Sequence, residues 1–185
     1  KCTESGKVLE TVTGNANRLL QESGDNAADV RMDTAGINFK KNIRNGGCIQ
    51  NVNSTNFYFS TTNTAVAEYM REMYLNTAFE QSFTDLDGRF VLNALAGCEY
   101  TTVYKGKEEQ LPYGYEEKIK EDDTYVMYRS DSSLPFSYVY DSYMDKEDYD
   151  KLSVTEKQQA ALQVCVVDKD EELTGLKEAS ESVKY

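Results

Sequence analysis

The spacing of apolar residues changes several times along this chain, and each change marks an element. Residues 7–22 carry Val8, Val12, Ala16 and Leu19 at helical spacing, interrupted by Gly14 and closed by Gly24. Residues 28–33 ("ADVRMD") read as a short strand. An Asn- and Gly-rich stretch follows over 36–55, with "RNGG" as a turn signal. Residues 61–74 open with cap-type residues and then set Val66, Tyr69, Met70 and Met73 on one helical face. In "DLDGRFVLNALAG" the pattern predicts a second amphipathic helix, with Asp87 as cap, Phe90, Val91, Ala94 and Leu95 as buried face, and Gly97 as stop.

The period then shortens to two. "CEYTTVYKG" is β-branched and aromatic, so it reads as a strand. "LPYGYEE" is a turn around Pro112 and Gly114, and "EEKIKEDDTYVMYRS" is a hairpin turning at Glu121–Asp123. "LPFSYVY" (134–140) predicts a strand entered through Pro135. "DKEDYDKL" gives one helical turn, Ser153 and Glu156 stand in capping-box register, and 164–168 form a closing strand. This order predicts a mixed β-sheet flanked by helices, in the α/β or α+β class. It also predicts one domain over 1–172 and a polar tail over 173–185, either a frayed helix or disordered.

Composition narrows the function. The net charge of −12 argues against nucleic acid and against electrostatic docking to anionic lipid. Histidine is absent, which removes the commonest general base and the Ser-His and Cys-His nucleophile pairs. Hydrolase triads and zinc enzymes are not expected, and neither a cofactor nor a metal site is. Cys2, Cys48, Cys98 and Cys165 lack any C-x-x-C spacing. Cys98 and Cys165 lie in apolar runs and read as buried free thiols, while a disulfide involving Cys2 stays open. No apolar run is long enough for a membrane span. A start at Lys1, without Met, reads as a piece of a longer protein.

A series of segments then carries a resemblance. "VRMDT" precedes the Asn/Gly-rich loop, "NSTNFYFSTTNTAVAEYM" and "GRFVLNALAGCEYTTVYKG" follow, and then come "LPYGYEE" and "YVMYRSDSSLPFSYVYDSYMDKEDYDKLSVTEKQQAALQVCVV". This order resembles the extracytoplasmic region of YfhO-type bacterial membrane proteins, most specifically over Leu134–Val167. It departs from the family pattern at "GCEY", where Cys98 and Glu99 stand in place of Val and Lys, and at Ser130 or Asp131 in place of Asn. The resemblance implies a multi-pass parent protein similar to class C glycosyltransferases. Such enzymes use polyprenyl-phosphate sugars to glycosylate cell-wall polymers such as teichoic acid, on the outer face of the cytoplasmic membrane of Gram-positive bacteria. It implies a non-catalytic role for this stretch, with the membrane-spanning part of the same polypeptide as partner. A cell-wall polymer or polyprenyl-linked sugar is the implied ligand. The alternative is a free-standing surface or secreted binding protein.

Candidate glycan contacts follow from residue type. Tyr113 and Tyr115 flank Gly114 in a loop, where binding residues concentrate. Asn53 and Asn56 offer amides to sugar hydroxyls or to their own loop, and Arg31 offers a charge to a phosphate or to Asp33. Tyr138 and Tyr140, with Phe136, are rings for packing or an aromatic platform.

Overall fold

The computed structural model describes residues 4, 6–8, 10, 14–24, 28–35, 45–75, 82–168, 175–179 and 183. The chain divides into two compact units, Lys1–Phe136 and Ser137–Tyr185. The first unit is built on five strands: β1 (Arg31–Thr34), β2 (Asn53–Ser54), β5 (Cys98–Tyr104), β6 (Glu117–Glu121) and β7 (Tyr125–Arg129). Their order is β2-β1-β5-β7-β6. β1 runs parallel to β2 and β5, while β5, β7 and β6 are antiparallel neighbours. A mixed sheet flanked by helices is the α+β arrangement that the residue pattern predicts.

The helices of this unit are α1 (Arg18–Gln21), α2 (Gly46–Gln50), α3 (Thr64–Glu72) and α4 (Phe90–Leu95). A small ribbon pairs β3 (Phe57–Tyr58) with β4 (Ser82–Phe83). Asn63 caps α3 by accepting the Ala65 N–H at 2.9 Å, and Met70 and Met73 are buried from its predicted face. The predicted first helix is shorter in its C-terminal part: helical residues resume at Arg18 after the Asn15 side chain accepts the Asn17 N–H at 3.0 Å. Residues 9 and 11–13 of that prediction, and most of the Asn/Gly-rich stretch before Asn45, lie outside the described residues.

Register decides what each face of the sheet buries. Met32 pairs with Tyr100, Thr102 with Met127, and Tyr104 with Tyr125. With period two these side chains share one face, where they pack with Ala16, Leu19, Leu20 and Val52 in the larger core. The intervening residues Asp33, Thr101, Val103 and Val126 point to the opposite face, and a smaller cluster of Ala35, Val103 and Val126 forms there under Leu111 and Tyr128. The hairpin turns where predicted: Asp122 Oδ1 accepts the N–H groups of Thr124 and Tyr125 at 2.6 and 2.7 Å.

α4 corrects the prediction in two respects. Asp87 is not its cap; it sits at φ 54° one residue before Gly88, and the helix begins after Arg89. The buried side chains are Leu92, Asn93 and Ala94, with Phe90, Val91 and Leu95 only half-buried. Gly97 ends the helix as predicted, at φ +66°, and a Cβ there would meet the Phe136 ring at 2.8 Å.

The second unit is a parallel three-stranded sheet, ordered β10-β8-β9, from β8 (Ser142–Asp145), β9 (Cys165–Val167) and β10 (Lys177–Glu178). Helices α5 (Lys146–Asp150) and α6 (Val154–Ala161) connect β8 to β9. Ser153 and Glu156 complete the predicted capping box, and that contact holds the Glu156 carboxyl below its usual range. Lys177 and Glu178 thus pair as a strand inside the stretch read as a frayed or disordered tail.

The predicted strand over 134–140 is absent; β8 starts only at Ser142. The backbone groups there are committed otherwise. Leu134 N donates to Ala94 O at 2.9 Å, and Pro135 has no N–H to offer. The alternating rings have another cause: Tyr138 and Tyr140 meet edge to face at 5.5 Å, and the Tyr140 hydroxyl donates to Ala161 O at 2.5 Å. Among the described residues, Cys48, Cys98 and Cys165 are free thiols, Cys98 buried and Cys165 half-buried. Cys2 lies outside them.

Candidate functional site

Of the five sequence-predicted residues, Arg31 and Asn53 are register partners across β1 and β2, while Tyr113 and Tyr115 diverge. Tyr113 is 78% exposed, and its ring stands edge-on to Phe90 at 5.5 Å. Tyr115, expected in the same exposed loop, is instead 2% exposed and donates its hydroxyl to Cys98 O at 2.6 Å. Gly114 between them, at φ +87°, allows this divergence: a Cβ there would strike Phe90 at 2.6 Å. Asn53 spends its amide on Ala28 O and Val30 O, at 2.9 and 3.2 Å, tying the start of β1 to β2. Asn56 is buried. Arg31 donates to Ala96 O and stacks over the Phe136 ring at 4.8 Å. Asp33, its expected ion-pair partner, accepts from Thr55 Oγ1 at 2.5 Å instead.

A narrow crevice opens where α4, the Tyr115 loop and the turn after β7 meet. Phe90, Asn93, Ala94, Cys98, Tyr115 and three serines, Ser130, Ser132 and Ser133, line it, and no water-sized space remains inside. None of these side chains carries a full charge at neutral pH, because burial pushes the Cys98 thiol and the Tyr115 phenol well above their ordinary values. Asn93 is 1% exposed, and neither of its amide atoms completes a hydrogen bond. It stands close enough to favour the ionised Tyr115 oxygen, yet desolvation outweighs that contact. The lining therefore offers hydroxyls and one carboxamide, groups that can each donate and accept, beside the exposed face of Tyr113.

Behind the crevice, the polar side of the sheet holds a buried acid. Asp33 is fully buried, and desolvation raises its carboxyl to about 6 despite the opposing Thr55 hydroxyl; Asp85 raises it further. Its Oδ2, the Thr101 hydroxyl and Asn56 Oδ1 have no hydrogen-bond partner. Asp33 acts electrostatically on both Cys98 and Tyr115. Among the described residues no group of three or more His, Cys, Asp or Glu side chains is gathered to hold a metal ion.

The family of the bacterial membrane protein YfhO matches residues 8–183. The chain belongs to the YfhO family. No curated protein and no solved structure matches it. Among the described residues of the chain, no helix is long and apolar enough to cross a membrane. Cys98 is buried with its carbonyl accepting from Tyr115, and Glu99 accepts from Arg129 Nε at 2.7 Å.

Sequence reasoning missed Asn93, and read Asp33 only as a partner for Arg31. Asn93 sits inside an apolar helical period, and a polar residue there is itself a signal, since a buried amide costs free energy unless it is used. Asp33 alternates with Val30 and Met32 as a solvent-facing residue of a strand would, so the sequence carries no local sign of its burial.

Proposed function

We propose that this chain is a non-catalytic domain of a polytopic membrane glycosyltransferase of class C type. It positions a sugar-bearing acceptor, such as teichoic acid, at the extracytoplasmic face. Bond making belongs to the membrane-embedded part of the same polypeptide, where a polyprenyl-phosphate sugar is the donor. The observation that carries this reading is Tyr113. Its exposed ring projects beside a charge-free crevice of hydroxyls and an unused carboxamide. An aromatic face next to such groups suits a neutral sugar, whose apolar ring face stacks while its hydroxyls exchange hydrogen bonds. The crevice must widen for this, which requires Phe90 and the Gly114 turn packed against it to part.

The chain contains no tryptophan, so its emission comes from its 14 tyrosines, and comparison with Tyr113→Ala isolates the part due to Tyr113. Titration with teichoic-acid fragments should give a saturable change that Tyr113→Ala abolishes. Flat titrations for the native chain across a panel of such fragments would leave only an architectural role.

A further inference from the structure

A different surface of the first unit points to a second kind of contact. Charged residues make up 28% of the chain, yet none occurs from Asn45 through Ala67. That charge-free run spans α2, β2, β3 and the start of α3. It is folded tightly. Asn45 donates to Tyr58 O at 2.9 Å and accepts the Tyr58 N–H at 2.7 Å, which fastens the start of α2 to β3. A Cβ on Gly47 would meet Val52 O at 2.6 Å, so α2 lies directly on the loop before β2. The outward side of the run nevertheless presents large apolar groups: Ile49 is 46% exposed and Phe59 53%. Phe57 stacks flat on buried Phe83 at 5.2 Å, and Phe59 packs against Phe57 at 5.2 Å, so Phe59 ends a supported column of rings.

We infer that this charge-free run, through its exposed Phe59 and Ile49, rests in the interfacial zone of the lipid bilayer that holds the parent protein. Three observations select lipid as the occupant. The family is one of membrane proteins, so a bilayer is the apolar phase to which a parent protein of this family is anchored. A protein of net charge −12 approaches a lipid surface most closely where it carries no charge to desolvate or repel. Finally, an exposed Ile and Phe gain free energy from entering the acyl boundary, whereas Ile49 has no ring to stack on a sugar. The inference rests on family membership and not on any role of Tyr113.

Phe59→Trp creates the chain's sole indole. With phosphatidylcholine vesicles its emission should shift to the blue and be quenched by lipids carrying bromine on the acyl chain. Added phosphatidylglycerol should weaken both effects through the chain's negative charge. Tyr113→Trp, away from the run, should show neither. Ile49→Ser in the Phe59→Trp background should lower vesicle affinity about tenfold. Three results would each overturn the inference: Phe59→Trp emission unchanged at saturating phosphatidylcholine, equal quenching at Tyr113→Trp, or a response only to soluble oligosaccharide.

Discussion

The two faces of the five-stranded sheet are made from alternate residues of the same strands, yet they do different work. One face joins Met32, Tyr100, Tyr125 and Met127 to Leu19 and Leu20, a broad apolar core. The other sets only Ala35, Val103 and Val126 into a small cluster. The rest of its interior goes to Asp33, Thr101, Asn93 and the Tyr115 hydroxyl, with Asp33 Oδ2, the Thr101 hydroxyl and the Asn93 amide unpaired. Unpaired hydroxyls occur on both faces, Thr102 and Tyr104 on the apolar one, so the distinguishing feature of this side is a fully buried carboxyl, Asp33, and a buried carboxamide, Asn93, whose desolvation opposes folding. The difference separates a scaffold from a site by a single step along each strand.

The largest expected effect tests the apolar face. Met127→Ala should lower stability by roughly 4 kcal/mol in denaturant titrations, because Met127 is fully buried at the centre of its core. A loss under about 1 kcal/mol would mean that this face is not the main core.

Asp33→Asn should act in the opposite direction. Folding raises this carboxyl from 3.8 to about 6, so the folded chain binds the proton more tightly than the unfolded chain. Its contribution to stability is complete below about pH 4, declines as pH rises toward 6 and stays lost above that. At pH 7 the variant should therefore be more stable than the native chain by ~3 kcal/mol, a difference that disappears in acid. Equal stability of the two proteins from pH 4 to 8 would show that Asp33 titrates as an ordinary carboxyl.

Tyr115→Phe should cost about 1 kcal/mol, the worth of one buried hydrogen bond to Cys98 O, and weaken the ligand response less than Tyr113→Ala does. Tyr113→Ala should change stability by no more than ~0.5 kcal/mol, since the ring is exposed, while removing the response to ligand. Swapped outcomes for this pair would place the contact on the buried tyrosine.

Local signals made much of this fold legible. The Ser153–Glu156 capping box, the Asp122 turn and the Gly97 stop depend on neighbours within a few residues, and all three form as read. The aromatic alternation over 134–140 misled because edge-to-face rings repeat every second residue in strand and non-strand alike. The site was less legible. Asp33 meets Thr55 only because β2 lies parallel beside β1, a pairing across a long connection that no local pattern encodes. Tyr113 and Tyr115 looked equivalent in sequence, and only the packing of Phe90 against Gly114 sends one outward and one inward.

The most direct test of the sugar-positioning account is an NMR titration of the full chain with a short teichoic-acid fragment. The account predicts amide and aromatic shifts gathered at Phe90, Asn93, Tyr113 and Ser132, all lost in Tyr113→Ala. Shifts scattered over the apolar core side at Leu19 and Leu20, or none at saturating ligand, would contradict it.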